Sequence, residues 1–282
     1  MREGRPGLLT LVFPMESHAL GWVAVVLYLG AEAYAIVSLV RPRVPALPGY
    51  LLVGAGLALQ FADLEARARA LHSVPYRTIG GSLSLFGWML GLSYLALLFR
   101  HRERAVGPFL IPFVIVFSVL GLLLPQPGLV ARADTRGPLF ALHVTFAILA
   151  YAAFTFSFVL SVLYLIQKRQ LRRVHTGLLF ARLPALDVIG RMNRTSVTIG
   201  LSVLGVSVVL GSIWAEHVWS RLPDAKFGSA VLTLVVYGFL LWKDRRGWGG
   251  ERVALLSILG FAMIIFSYTF VNLYLSTQHV FR

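Results

Sequence analysis

The sequence predicts an all-α protein, a polytopic transmembrane bundle of about eight helices. Three observations carry that expectation. The 282-residue chain is 57% hydrophobic and only 13% charged, with a mean hydropathy of +0.76, too apolar for a soluble domain of this length. Its apolar runs are roughly twenty residues long between polar breaks, enough for a helix to cross a ~30 Å hydrocarbon layer. The runs show no period-two alternation, which argues against a β-barrel.

The first span, Ala19–Val40, is apolar except for Glu32. A carboxylate in a membrane is costly, so Glu32 is either a functional group or a protonated or backbone-bonded residue facing the bundle. The second, Pro48–Leu64, is short and runs into "FADLEARARALH". Asp63 with Arg67, and Glu65 with Arg69, are spaced i,i+4, so the helix is expected to continue past the membrane as an amphipathic extension. The third, Ile79–Phe99, carries Gly87 and Gly91 as a G-x-x-x-G packing pair. The fourth is Val106–Leu124. The fifth, Leu139–Ile166, has His143 near its start.

After the fifth span comes the longest and most basic connection, at residues 168–195, expected to hold an interfacial helix. Within it Asp187 and Arg191 form another i,i+4 pair. The sixth span, Val197–Trp214, is lined with small residues. It leads into residues 211–227, "GSIWAEHVWSRLPDAKF", which carry Trp214, His217 and Trp219. Gly228–Trp242 and Val253–Tyr274 complete the set. No connection is large enough to fold alone, so residues 1–282 read as a single integral membrane domain.

An even number of spans puts both termini on one side. Most of the 26 Lys and Arg lie after the first, third, fifth and seventh spans: Arg41 and Arg43; Arg100, Arg102 and Arg104; Lys168 through Arg194; then Lys243 through Arg252. The positive-inside rule assigns those connections to the cytoplasm. Both termini and residues 211–227 are then outside. The net charge of +14 is thus a topology signal; the partner it implies is the lipid bilayer, and no nucleic acid is expected. No cleavable signal peptide is expected in "GLLTLVFPM", which contains Pro14 and lacks a small-x-small site. Met15 is an alternative start, giving "MESHALGWV".

The chain has no cysteine. That excludes disulfides, thiolate metal sites, CxxC redox chemistry and a covalent C-x-x-C-H heme site. Seven histidines are present. His101 and His175 sit among cytoplasmic arginines and read as solvated. His18, His72, His143, His217 and His279 all fall on the outer side. Metal-ion spacings such as H-x-x-x-H or H-E-x-x-H are absent. Imidazoles far apart in sequence suit the two faces of a heme. Trp214, Trp219 and Leu222 would serve as its wall, and Arg77, Arg132, Arg136 and Arg221 as bases for its propionates. Interfacial anchoring accounts for Trp and His at this level equally well.

Four blocks in order resemble the heme-handling cytochrome c assembly family. They are "LHVTFAILAYAAFTFSFVLSVLYLIQKRQL", "LPALDVIGRMNRTSVTIGLSVLGVSVVLGSIWA", "WAEHVWSRLPDAKF" and "RRGWGGERVALLSILGFAMIIFSYTFVNLYLSTQH". A weaker block, "LHSVPYRTIGGSLSLFGWML", is similar to the family's N-terminal His-x-x-Pro segment. The resemblance implies that His143 and His279 are axial ligands of a heme iron and that His72 is the family's N-terminal histidine. It also places Trp214, Trp219, Asp224 and Lys226 in the tryptophan-rich external segment. Synthetase members have a longer, denser segment there, and a histidine where this chain has Trp242. These departures point to the HemX-type branch.

The resemblance implies a heme-handling membrane protein of a bacterial cytoplasmic (inner) membrane that binds heme b and delivers it at the outer face. It implies no catalytic residues of its own, only a role accessory to a cytochrome c heme lyase or synthetase. A second cytochrome c assembly subunit or a tetrapyrrole-biosynthesis enzyme is the implied partner. Two alternatives stand: a HemX-type regulator of heme biosynthesis, with 168–195 as the partner surface, and a small-solute or proton-coupled transporter using Glu32 and Asp63. The last ranks lowest, because no span is broken in matched halves and no internal repeat is detectable. His217 takes no role from the family.

Overall fold

The computed structural model describes residues 18–41, 43–70, 74, 76, 78–124, 137–173, 181–219 and 225–270; the side chains of 217–219, 225–226 and 267–270 lie outside that description. The described chain forms eight long helices: α1 (Ala19–Val40), α2 (Leu47–Ala70), α3 (Ile79–His101), α4 (Gly107–Leu123), α5 (Pro138–Arg172), α6 (Leu186–Trp219), α7 (Ala225–Arg245) and α8 (Gly250–Phe270). Seven of them, α1 to α7, are long and apolar enough to cross a membrane. The protein is a multi-pass helical membrane protein.

Local chemistry sets the helix ends. Thr78 caps α3 by accepting the Gly81 N–H at 2.9 Å. Arg102, at φ 58°, stops it in the left-handed region. Pro138 occupies the first turn of α5, where no backbone N–H is needed. At the end of α7 the chain turns at Gly247 (φ 81°), and the Trp248 N–H reaches back to the Lys243 carbonyl at 3.1 Å.

Several helices outrun their apolar cores. The chain that connects α5 and α6 was expected to begin near residue 168, yet α5 runs to Arg172 and α6 starts at Leu186. The α6 helix also continues through Trp219, so the first half of 211–227 is helix rather than loop. Hydrogen bonds i→i−4 are satisfied within a helix whether its side chains are apolar or not. An apolar-run reading therefore stops short of the true end.

The α5 helix is the hub. In its most apolar window 61% of the residues are buried, against 44% or less in the other candidate spans. On one side Ala152, Phe156 and Leu160 join the core of α1 to α4. On the other, Ala150 and Phe154 join α6, α7 and α8. The α3 and α4 helices meet at small residues. A Cβ on Gly121 would stand 2.6 Å from the Ser84 backbone nitrogen, and one on Gly87 would stand 3.1 Å from that of Ser118.

Successive helices alternate in direction and gather their ends on two faces. On the first, His18 lies 3.8 Å from Asp63, and Tyr76, Phe140 and Trp214 cluster. On the second, Arg104 donates to the Val44 carbonyl at 2.9 Å, Lys168 pairs with Glu251 at 2.6 Å, and Arg194 pairs with Asp244 at 2.5 Å.

Candidate functional site at the His143 end of the bundle

Phe140 and His143 are three residues apart on α5 and so share a face. Ser207, Gly211, Trp214 and Ala215 are spaced four, three and one apart along α6, and form the facing surface. Gly211 is what lets the two surfaces meet. A Cβ there would stand 2.6 Å from both Cε1 and Nδ1 of His143, so the imidazole lies directly on the α6 backbone.

His143 is held at two points. Its Nδ1 lies 2.7 Å from the Ser207 carbonyl oxygen. A carbonyl only accepts, so Nδ1 carries the proton and donates it. The Ser207 hydroxyl donates to the His143 carbonyl at 2.8 Å and lies 3.1 Å from Nδ1. In a neutral imidazole this leaves the lone pair on Nε2. That nitrogen makes no hydrogen bond among the described residues.

An aromatic wall adjoins the imidazole. Phe140 packs 4.6 Å from Trp214, 5.8 Å from Tyr76 in an edge-to-face pair, and 6.4 Å from His143. Trp214 is only 6% exposed. A tryptophan serving solely as an interfacial anchor would leave more of its ring to the headgroups.

The sequence singled out His143 and Trp214, and these two share one cluster at one end of the bundle. It missed Ser207, Gly211, Phe140 and Tyr76. Phe140 was signalled by its i,i+3 spacing from His143; a backbone carbonyl partner leaves no signal. His72, Arg221, Asp224 and His279 lie outside the described residues, as do Arg77, Arg132, Arg136 and Leu222. So do the side chains of Trp219, His217 and Lys226.

A second polar cluster lies between α1, α2, α3 and α4. Asp63 and Arg67, expected on an exposed helical extension, are in fact buried, at 2% and 7% exposure, and pair with each other. Only Glu65–Arg69, at 2.7 Å, stays on the surface. Arg67 also donates to the Ser84 hydroxyl at 3.0 Å. Gln60 accepts from Tyr28 at 2.8 Å and donates to Ser118 at 2.9 Å. His18 closes the cluster beside Asp63; burial and the Arg67 charge lower its pKa, and Asp63 opposes them.

Of the remaining titratable groups, Glu32 has a buried carboxyl oxygen, Oε2, without a hydrogen-bond partner among the described residues. His101, expected to be solvated, ends α3 with its Nε2 buried and similarly without a partner. Asp187 and Arg191 pair at 2.5 Å, as their spacing predicts. No three His, Cys, Asp or Glu side chains converge as an ion cage among the described residues.

The fold and this end of it thus define a multi-pass helical bundle that holds one imidazole in a fixed tautomer beside an aromatic cluster. Residues 77–279 match the family model described as cytochrome C assembly protein. The chain belongs to this family, which places it in cytochrome c biogenesis, on the HemX-type branch. It is 31% identical to Protein HemX of Brevibacillus brevis over 194 residues, covering 67% of this chain and 71% of that protein. Protein HemX of Bacillus subtilis is 30% identical over 174 residues, 60% of this chain and 62% of that protein. Cytochrome c biogenesis protein CcsA of a Synechococcus strain is 25% identical over 311 aligned positions, covering 88% of each chain.

Proposed function

We propose that this protein binds heme b at the outer face of the cytoplasmic membrane, in a bundle with both termini outside, and passes it on in cytochrome c assembly without forming thioether bonds itself. The observation that carries the reading is the state of His143. Its Nδ1–H is committed to the Ser207 carbonyl, leaving Nε2 as the donor atom, which is how a metal-ligating histidine is ordinarily oriented by its second nitrogen.

Among the described residues, the chemistry of His143, Phe140 and Trp214 fits the group. Bound heme would supply an iron that takes axial imidazole nitrogens and an apolar ring that packs on aromatic side chains. His143 and His279 would hold the iron, and Trp214 and Phe140 would form part of the wall. On this reading Trp219 would extend the wall, His72 would be the family's N-terminal histidine, and Arg221, Asp224 and Lys226 would supply a polar rim. A second assembly subunit receives the heme.

The purified protein titrated with heme should develop the Soret and α bands of a bis-histidine complex. His143→Ala and His279→Ala should each abolish the low-spin spectrum. A protein that gives no such bands, or a double variant with the wild-type spectrum, would overturn the proposal.

A further inference from the structure

The opposite end of the bundle carries a cation site that the heme reading does not use. On α7, Val231, Val235, Phe239 and Trp242 are all exposed and recur every three or four residues, so they form one outward stripe. The stripe continues in register to Arg246. From Val231 to Trp242 it rises ~16 Å at 1.5 Å per residue, close to the ~15 Å hydrocarbon depth of a single leaflet.

At its foot sits Lys243. Its Nζ stands 5.4 Å from the centroid of Phe239, 4.7 Å from Trp242 and 4.9 Å from Trp248. The Arg246 guanidinium lies 5.0 Å over Trp242. The Gly247 turn fixes Trp248 in this arrangement. Aromatic faces hold a cation in place but do not neutralise it. The acids nearby are already engaged: Asp244 by Arg194, and Glu251 by Lys168 and Arg172. Lys243, Arg245 and Arg246 form no ion pair among the described residues.

We propose that this corner binds an anionic phospholipid, with the phosphate diester on Lys243 and Arg246 and an acyl chain along the α7 stripe. An apolar path one leaflet deep, ending in uncompensated cations at headgroup level, is complementary to an anionic amphiphile. A soluble anion would make no use of the stripe. A zwitterionic lipid would bring its own cation to a site that already has two. The positive-inside reading puts the α7–α8 turn at the cytoplasmic leaflet, where anionic lipid concentrates.

Native mass spectrometry of the full chain, delipidated and then supplied with phosphatidylglycerol or phosphatidylcholine of identical acyl chains, tests the proposal. Phosphatidylglycerol adducts should survive preferentially. K243Q and R246Q should each weaken its retention roughly fivefold. Lys243→Arg should keep it, and Arg41→Gln with Arg43→Gln, a cation pair elsewhere on the same face, should leave it unchanged. Equal retention of the two lipids, or a preference untouched by the double K243Q/R246Q variant, would overturn it. So would displacement of phosphatidylglycerol by added heme, which would reassign the cations to a porphyrin carboxylate.

Discussion

Gly211 and Ser207 decide how His143 is presented, and they do so by different means. Gly211 acts by absence. A methyl group there would occupy the space of the imidazole at 2.6 Å, and the ring sits on backbone that cannot move aside. Gly211→Ala is expected to cost about 1–3 kcal/mol of stability and to remove the bis-histidine spectrum. Ser207→Ala keeps the carbonyl that accepts Nδ1–H and loses only the hydroxyl, at about 1 kcal/mol, and should retain that spectrum. Thermal unfolding and heme titration of the two variants side by side check both outcomes. His18 supplies a pH dependence. Its folded pKa lies below the ordinary value near ~6.5, so the stability it contributes is full above that value and is lost as pH falls through the folded pKa. His18→Gln should flatten this part of the pH–stability profile below pH ~6.5, whereas a profile that falls as steeply without the imidazole would exclude His18 as its source. His143 and Ser207 were unequally legible. His143 stood out because it falls with four other histidines on the expected outer side and heads a block that resembles the family. Its partner is a main-chain atom 64 residues away, invisible to any pattern of side chains.

Among the elements, helix existence and order were readable from apolar run length alone, and α1 matches its expected bounds. What could not be read was which polar face turns inward. The i,i+4 pairing of Asp63 with Arg67 looks identical on paper to that of Glu65 with Arg69, yet one is buried and the other exposed. The difference comes from α3 and α4, which present Ser84 and the Gly121 carbonyl to Arg67. Asp63→Ala would leave a buried guanidinium without its carboxylate and should cost about 3–5 kcal/mol. Replacing both partners with apolar residues of similar size should recover most of that loss. Helix packing gives a sharper comparison. Gly121→Ala drives a methyl into the α3 backbone, and two helices must separate. Gly54→Ala meets nothing within 4 Å and should stabilise α2 by about 1 kcal/mol through helix propensity. Unfolding midpoints in one detergent should therefore move in opposite directions for the two glycines. Movement in the same direction would refute the close approach of α3 and α4.

At the scale of the whole molecule, the proposed function turns on which face meets the cytoplasm. The bundle separates its chemistry by end. His18, His143 and the Trp214 cluster gather on one face, and the pairs Arg194–Asp244 and Lys168–Glu251 on the other. The proposal takes the second face, by its charge asymmetry, as the one inside. Helix order alone would be equally satisfied by the inverted protein. The absence of cysteine makes the orientation directly measurable, because a single introduced thiol is the only one in the chain. Arg43→Cys and Arg246→Cys should resist a membrane-impermeant maleimide in intact cells and react once the membrane is opened. Gln126→Cys, in the connection between α4 and α5, should react in both. A reversed pattern would put His143 in the cytoplasm. Heme bound there would be received or sensed in the cytoplasm, and delivery at the outer face would fall even if the heme spectrum were as expected.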